Sequence, residues 1–187
     1  MGMSGFVKTT TLEWEGVVSS VIITSDTDGP YDEAIGYLTE RKGMMDGVII
    51  DCIENVSPKE LIGLLKQLRS MGYKIRLVTE GKVPDVLDDL IGANYADSVM
   101  VRLDNGMDDD AIRTVSIVSE YGIECEYRTV LNVKNVTAND IARYAKMIKG
   151  AKRYVLIQPK KDPFEKKDVL KAAEAAKRHV KNVIIRQ

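Results

Sequence analysis

Short runs of Val and Ile recur along the chain, and each is followed by a segment with apolar residues at helical spacing. The runs read GVVSSVIIT, DGVIIDC, YKIRLVT, DSVMVRL, CEYRTVL, RYVLIQ and NVIIR. Strands that alternate with helices are typical of parallel βα units, because each helix carries the chain back to begin the next strand in the same direction. The pattern predicts an α/β fold of six βα units and a closing C-terminal strand.

Helix start and stop signals agree with this segmentation. The predicted helices span residues 31–42, 58–71, 84–91, 108–121, 138–148 and 163–180. Ser57, Pro58 and Glu60 fit an N-cap, a first-turn proline and a reciprocal acid. Gly72, Gly122 and Gly150 stand where left-handed helix ends are expected.

Length and composition favour one intracellular domain. The 187 residues show no linker or change in composition, which predicts a single domain over 1–187 with an N-terminal segment over 1–16. The net charge of −1 gives no reason to expect nucleic acid or an anionic membrane as a partner. With no apolar leader and no Cys or His cluster, we expect a cytoplasmic protein without a disulfide framework or a thiolate metal site.

Candidate site residues follow the strand runs directly. Right-handed βα crossovers build either an open sheet or a barrel, and both bind ligands at the carboxyl ends of the strands. The charged and polar residues expected at this end are Asp51, Glu54, Thr79, Glu80, Arg102, Arg128 and Gln158. An internal ion pair of Arg128 with Glu54 or Glu80 is the structural alternative.

The segment SDTDGPYDE after the first run is rich in acids. Asp26 and Asp28 are weak candidates for a metal site, because carboxylate oxygens suit hard cations. The same segment also fits an ordinary helix start, since Gly29 and Pro30 precede acids that favour the positive end of a helix dipole.

The order of several segments is similar to that of a known family. These segments are GFVKTTTLEWEG, VIIT, LTERKGMMDGVII, GYKIRLVTEG, CEYRTV and GAKRYVLIQP. They resemble the activating proteins of anaerobic ribonucleotide reductase, in the radical S-adenosylmethionine (radical SAM) superfamily. The resemblance covers Gly5 to about Gln158 and implies a partial (β/α)6 barrel with parallel strands.

The chain departs from that family at two motifs. The C-x-x-x-C-x-x-C loop that holds a [4Fe-4S] cluster is replaced by residues 25–32, which contain no cysteine, so no cluster is expected. A Gly-Gly-Glu-Pro-like turn, whose backbone receives the cofactor's amino group, is replaced by residues 52–55. Glu54 keeps the matching position, and Thr79, Gly81 and Arg128 fit the family's later turns.

Three functions are compatible with these observations. The first is a non-catalytic radical-SAM-like protein that acts by binding, as a regulatory or assembly partner of a related enzyme system. The second is binding of an S-adenosylmethionine-like or nucleotide-like ligand without radical cleavage. The third is a metal-assisted enzyme that uses acids at the barrel mouth.

Overall fold

The fold is an alternation of strands and helices with one extra strand at the start. The structure is a computed structural model and describes residues 5–24, 31–104, 106 and 108–186. The strands are β1 Gly5–Thr10, β2 Ser19–Ile23, β3 Gly47–Asp51, β4 Lys74–Thr79, β5 Ser98–Arg102, β6 Glu124–Val130, β7 Tyr154–Ile157 and β8 Val183–Arg186. The helices are α1 Asp32–Glu40, α2 Pro58–Ser70, α3 Pro84–Gly92, α4 Asp109–Tyr121, α5 Ala138–Met147 and α6 Lys166–Lys177, with a short 3-10 helix at Ile53–Asn55.

The strands follow one another in the sheet in chain order, with β1 and β8 at the two ends. The pairings of β2 with β3, β3 with β4, β6 with β7 and β7 with β8 are parallel. The prediction of an α/β fold with six βα units and a closing strand is therefore confirmed. Strand β1 was not predicted as a strand. It lies antiparallel to β2, within the predicted N-terminal segment.

The start of the last helix is also predicted wrongly. The sequence pattern places it at Pro163, whereas α6 begins at Lys166 with Glu165 as its N-cap. Pro163 instead forms an antiparallel bridge with Asn132, and the Phe164 N–H donates to the Leu131 carbonyl at 3.2 Å. Phe164 is buried there, and the helix begins two residues later, at Lys166.

By its contacts the chain divides into two compact units. The first consists of the described residues within Met1–Thr79 and Asp85–Val99, and the second of those within Glu80–Pro84 and Met100–Gln187. The described segments contain no helix that combines the length and the apolar character needed to cross a bilayer.

Strand burial on both faces forms the core of the first unit. Val48 pairs with Ile75, and Ile50 with Leu77, and all four are fully buried. Paired residues of a parallel sheet project to the same face, so this face is continuous and apolar. Helix α2 adds buried leucines at helical spacing, which are Leu61, Leu64, Leu65 and Leu68.

The opposite face of the first unit holds a buried guanidinium. Arg76, paired in register with Ile49, is only 2% exposed. Its Nε donates to Ser98 Oγ at 3.0 Å, its Nη1 donates to the Glu13 carbonyl at 2.8 Å, and its guanidinium stacks 4.9 Å from the Trp14 ring centroid. These contacts satisfy a charge that would otherwise be costly to bury, and they fix the β1–β2 connection to the strands.

Helices α4 and α5 begin in the second unit at the residues that the sequence predicts. Asp108 caps α4 by accepting a hydrogen bond from the Ala111 N–H at 2.9 Å. Thr137 and Asp140 form a complete capping box on α5, with Asp140 accepting from the Thr137 N–H at 2.9 Å. Helix α5 packs on α6, and strands β6, β7 and β8 lie beneath them in register.

Candidate functional site

The turn after β3 has a backbone shape that glycine would favour. Cys52 has φ 61° and ψ 65°, in the left-handed region that a side chain disfavours. The short 3-10 helix at Ile53–Asn55 follows immediately. Position 52 therefore has a conformation that glycine favours, although the residue itself has a side chain.

The carbonyl groups of this turn are engaged within the chain. The Asp51 carbonyl accepts from the Thr24 N–H at 3.1 Å and from the Thr24 hydroxyl at 2.7 Å. The Cys52 carbonyl accepts from the Asn55 N–H at 3.1 Å and also lies within hydrogen-bonding distance of the Thr24 hydroxyl. Because the Thr24 hydroxyl has one proton, it donates to one of these two carbonyls at a time, so together they accept three hydrogen bonds from Thr24 and Asn55.

Two predicted site residues in this unit bind each other. The Thr79 hydroxyl, at the end of β4, donates to Glu54 Oε1. The Asn55 side chain donates to the Thr24 carbonyl at 3.3 Å, which ties the ends of β2 and β3 together. The structure thus brings Asp51, Glu54 and Thr79 to one edge of the first unit. Thr24 and Asn55 complete the network, and sequence reasoning singled out neither.

In the second unit, the turn after β4 depends on a glycine. Gly81 has φ +85°, and a Cβ added there would lie 3.1 Å from the Ala111 Cα at the start of α4. The Thr114 hydroxyl donates to the Gly81 carbonyl at 3.2 Å, so the turn is held against the helix. The predicted site residue Glu80 forms an ion pair with Lys82, whose Nζ lies 2.6 Å from Glu80 Oε2.

The acid after β5 has a pKa that its surroundings shift. Burial raises the pKa of Asp104, and a hydrogen bond from the Val130 N–H to its Oδ1, at 2.6 Å, acts in the opposite direction. The Arg102 guanidinium also lowers this pKa, while the Glu80 carboxylate raises it. Arg102 and Glu80 were predicted site residues, and the structure places both within electrostatic range of Asp104. Asp104 itself was missed, because burial past the end of a strand leaves no pattern in the sequence.

Arg128 pairs with a residue that sequence reasoning did not consider. Its Nε donates to Glu126 Oε1, two residues earlier on β6, and both side chains are buried. Arg153 Nε lies 2.8 Å from Glu126 Oε2, although not aligned for a hydrogen bond. One carboxylate therefore lies between two guanidinium groups. Residues i and i+2 of a strand project to the same face. This spacing was the sequence signal that could have identified Glu126 as the partner of Arg128.

Gln158 lies just past the end of β7, and its Oε1 atom is buried without a hydrogen-bond partner among the described residues. Its Nε2 donates to the Phe164 carbonyl at 2.8 Å, whereas Oε1 accepts no hydrogen bond from the described residues. The Leu131 N–H donates to the Ile157 carbonyl at 2.8 Å, and Asp104 is bonded to the neighbouring Val130. Gln158 and Asp104 therefore lie at the same carboxyl end of the strands, on either side of β6.

Asp26 and Asp28, the weak metal candidates, lie outside the described residues. Within the ranges that the structure does describe, no three His, Cys, Asp or Glu side chains come together as a metal ion requires. The candidate site thus consists of hydrogen-bonded networks at the strand ends of each unit.

The sequence matches no model of a known protein family, and no curated protein matches it.

The backbone of Cys52 gives a test of the turn. We expect Cys52→Gly to unfold at or above the wild-type urea midpoint and Cys52→Val below it, with about 1–2 kcal/mol between the two variants, because only glycine adopts this conformation without strain. Cys125 in β6 is the matched control, because its extended backbone should make Cys125→Val more stable than Cys125→Gly. The same order at both positions would contradict the left-handed assignment.

The shared carboxylate gives a second test. We expect Glu126→Gln to lower the free energy of unfolding by about 3–5 kcal/mol, because Arg128 and Arg153 lose the buried negative charge between them. Urea unfolding followed by circular dichroism measures the change. Glu165→Gln, which removes the partner of the exposed Lys167, should be indistinguishable from wild type. A Glu126→Gln midpoint equal to that of wild type would show that Glu126 does not hold the two charges.

The raised pKa of Asp104 predicts a pH dependence. The folded-state pKa lies above the ordinary 3.8, so between these two values the folded chain binds more protons than the unfolded chain. Stability from this residue therefore increases as the pH falls from neutral toward 3.8. We expect Asp104→Asn to be at least as stable as wild type at pH 7 and to flatten the slope of stability against pH. Equal slopes for the two proteins would rule out a raised pKa.

Proposed function

We propose that this chain is a non-catalytic protein with a radical-SAM-like partial barrel that acts by binding, as a regulatory or assembly partner of a related enzyme system. The fold described above is compatible with such a barrel, and the resemblance in segment order motivates it. Residues 25–32 contain no cysteine that could hold a cluster.

The observation that best supports this proposal is the internal hydrogen bonding of the turn after β3. In the resembling enzymes, backbone groups of this turn receive the cofactor's amino group. Here the Asp51 and Cys52 carbonyls together accept three hydrogen bonds from Thr24 and Asn55. A ligand ammonium would have to compete with these bonds, and the loss of an existing pair would offset what a new one contributes.

A second candidate is supported by the strand ends of the second unit. The buried Gln158 Oε1 is an acceptor that a ligand hydroxyl or amine could satisfy, and burying it without a partner costs free energy. Asp104, which follows β5 on the other side of β6, has its pKa raised by burial, which is common where a site binds a polar ligand. An S-adenosylmethionine-like or nucleotide-like ligand, bound without cleavage, is the class that the resemblance implies.

One set of measurements separates the two candidates. The full chain is purified without oxygen from its native cells, treated with iron and sulfide, and titrated with S-adenosylmethionine and adenosine in a thermal-shift assay. The binding role predicts no cluster absorbance, no shift in melting temperature and a stoichiometric complex with a protein of the related enzyme system. A chain that elutes as a lone species would contradict it, as would about four irons per chain.

The second candidate gives the opposite thermal result. This candidate predicts a saturable shift in melting temperature with either compound. The shift should be lost in Gln158→Leu and retained in the exposed control Lys160→Leu, and this result would favour ligand binding over partner binding. A flat response across millimolar ligand would exclude this candidate.

A further inference from the structure

The charges of this chain are segregated along its sequence. Residues 143–152 and 160–181 contain twelve exposed Lys and Arg side chains but four acids. The rest of the chain holds fifteen basic and 24 acidic residues, since the totals are 27 and 28. The net charge of −1 is therefore the sum of two opposed regions, and such an asymmetry indicates an anionic partner for the basic one.

The exposed Lys and Arg side chains of these two ranges form what we call the basic face. Helix α5 packs on α6 in the second unit. Beyond the helix ends, the Gly150 N–H donates to the His179 carbonyl at 3.0 Å, and the Lys181 N–H donates to the Ala151 carbonyl at 3.3 Å. The two basic ranges thus belong to one packed layer.

The positive excess of the basic face persists when adjoining acids are counted. Arg143 pairs with Asp140 at 2.9 Å. With Asp140, and with Glu120 and Glu124 of the neighbouring segments, seven acids stand against the twelve cations, which leaves an excess of five. The dipoles of α5 and α6 do not alter this excess, because the positive and negative ends of a helix cancel over its length.

The basic face lacks the apolar centre that a protein or membrane partner would require. Leu170, at 52%, is the one exposed large apolar side chain in its two ranges. Protein interfaces have a core depleted in Lys, and helices that bind membrane surfaces insert several large apolar side chains. The face therefore fits a partner that charge alone can hold, and the phosphate backbone of a nucleic acid is such a polyanion.

The aromatic residues of the two ranges favour a duplex over a single strand. Tyr144 and Phe164 are both buried. Proteins hold single strands largely by stacking bases on exposed aromatic rings, which these ranges do not present. A DNA duplex carries one negative charge per about 1.7 Å, so about ten charges lie along the roughly 18 Å of the twelve-residue helix α6.

We infer that the basic face binds the sugar-phosphate backbone of a nucleic-acid duplex without reading its sequence. Its ammonium and guanidinium groups neutralise phosphates, and the release of condensed counterions drives the association. No side chain of the face belongs to the candidate functional site, so this activity is separate from the function proposed above.

Fluorescence anisotropy with a labelled DNA duplex of mixed sequence and the full chain tests the inference. We expect a Kd on the order of 10⁻⁶–10⁻⁴ M at physiological salt. The slope of log K against log salt should be about −4 to −5, because five excess charges contribute about −0.9 each. A second duplex of equal length and different sequence should bind equally. An RNA duplex in the same titration shows which backbone binds more tightly, and saturable binding of either supports the inference.

A matched pair of variants locates the binding. Lys146→Gln with Lys171→Gln removes one cation from each helix of the face. This variant should bind the duplex at least about tenfold more weakly, with a slope smaller by about 2. Lys59→Gln with Lys66→Gln, both exposed on α2 of the first unit, changes the net charge equally. This control should bind within about twofold of wild type, because salt screens distant charges.

The following results would overturn the inference. They are no duplex binding at low salt, tighter binding of a thymidine single strand, equal effects of the two variants, and retention on phosphatidylserine vesicles without duplex binding. Circular dichroism of each variant confirms that the full chain is folded, so that a loss of binding reports on the basic face.

Discussion

The need to bury parallel strands on both faces constrains everything else in this chain. Apolar pairs such as Val48 with Ile75 satisfy it on one face of the first unit. A polar side chain can enter such a strand only when the protein supplies its partners. Arg76 meets this condition through Ser98, a backbone carbonyl and Trp14, so a charge in the sheet also fixes a connection outside it.

The same need for hydrogen-bond partners explains why so many side chains at the strand ends form hydrogen bonds. Past the last ladder hydrogen bond, backbone groups still require partners, and here Thr24, Asn55 and Asp104 provide them. In the first unit these bonds use the acceptors of the turn after β3. In the second unit they leave the Gln158 Oε1 unused.

Much of the fold was predictable because its signals are local. Runs of Val and Ile, the Ser57 N-cap and the left-handed Gly122 depend on neighbouring residues, and each was predicted correctly. Strand β1 was missed because KTT is polar and its pairing is antiparallel.

The rest depended on contacts that pattern reasoning does not see. The start of α6 was predicted wrongly because Pro163 pairs with Asn132, which is 31 residues earlier in the chain. Of the candidate site, the residues at strand ends were predicted, but their partners Thr24, Glu126 and Asp104 were not, since hydrogen bonding and burial are properties of packing.

The chain-order arrangement of the strands has a consequence for how the protein is made. Each parallel pairing joins strands that are adjacent in sequence, as in β2 with β3 and β6 with β7. The entropy lost on closing a loop grows only slowly with its length, so each new strand docks at a similar and modest cost. The amino-terminal strands can therefore pair while the ribosome is still adding the later ones. Synthesis and folding can proceed in the same direction, one βα unit at a time.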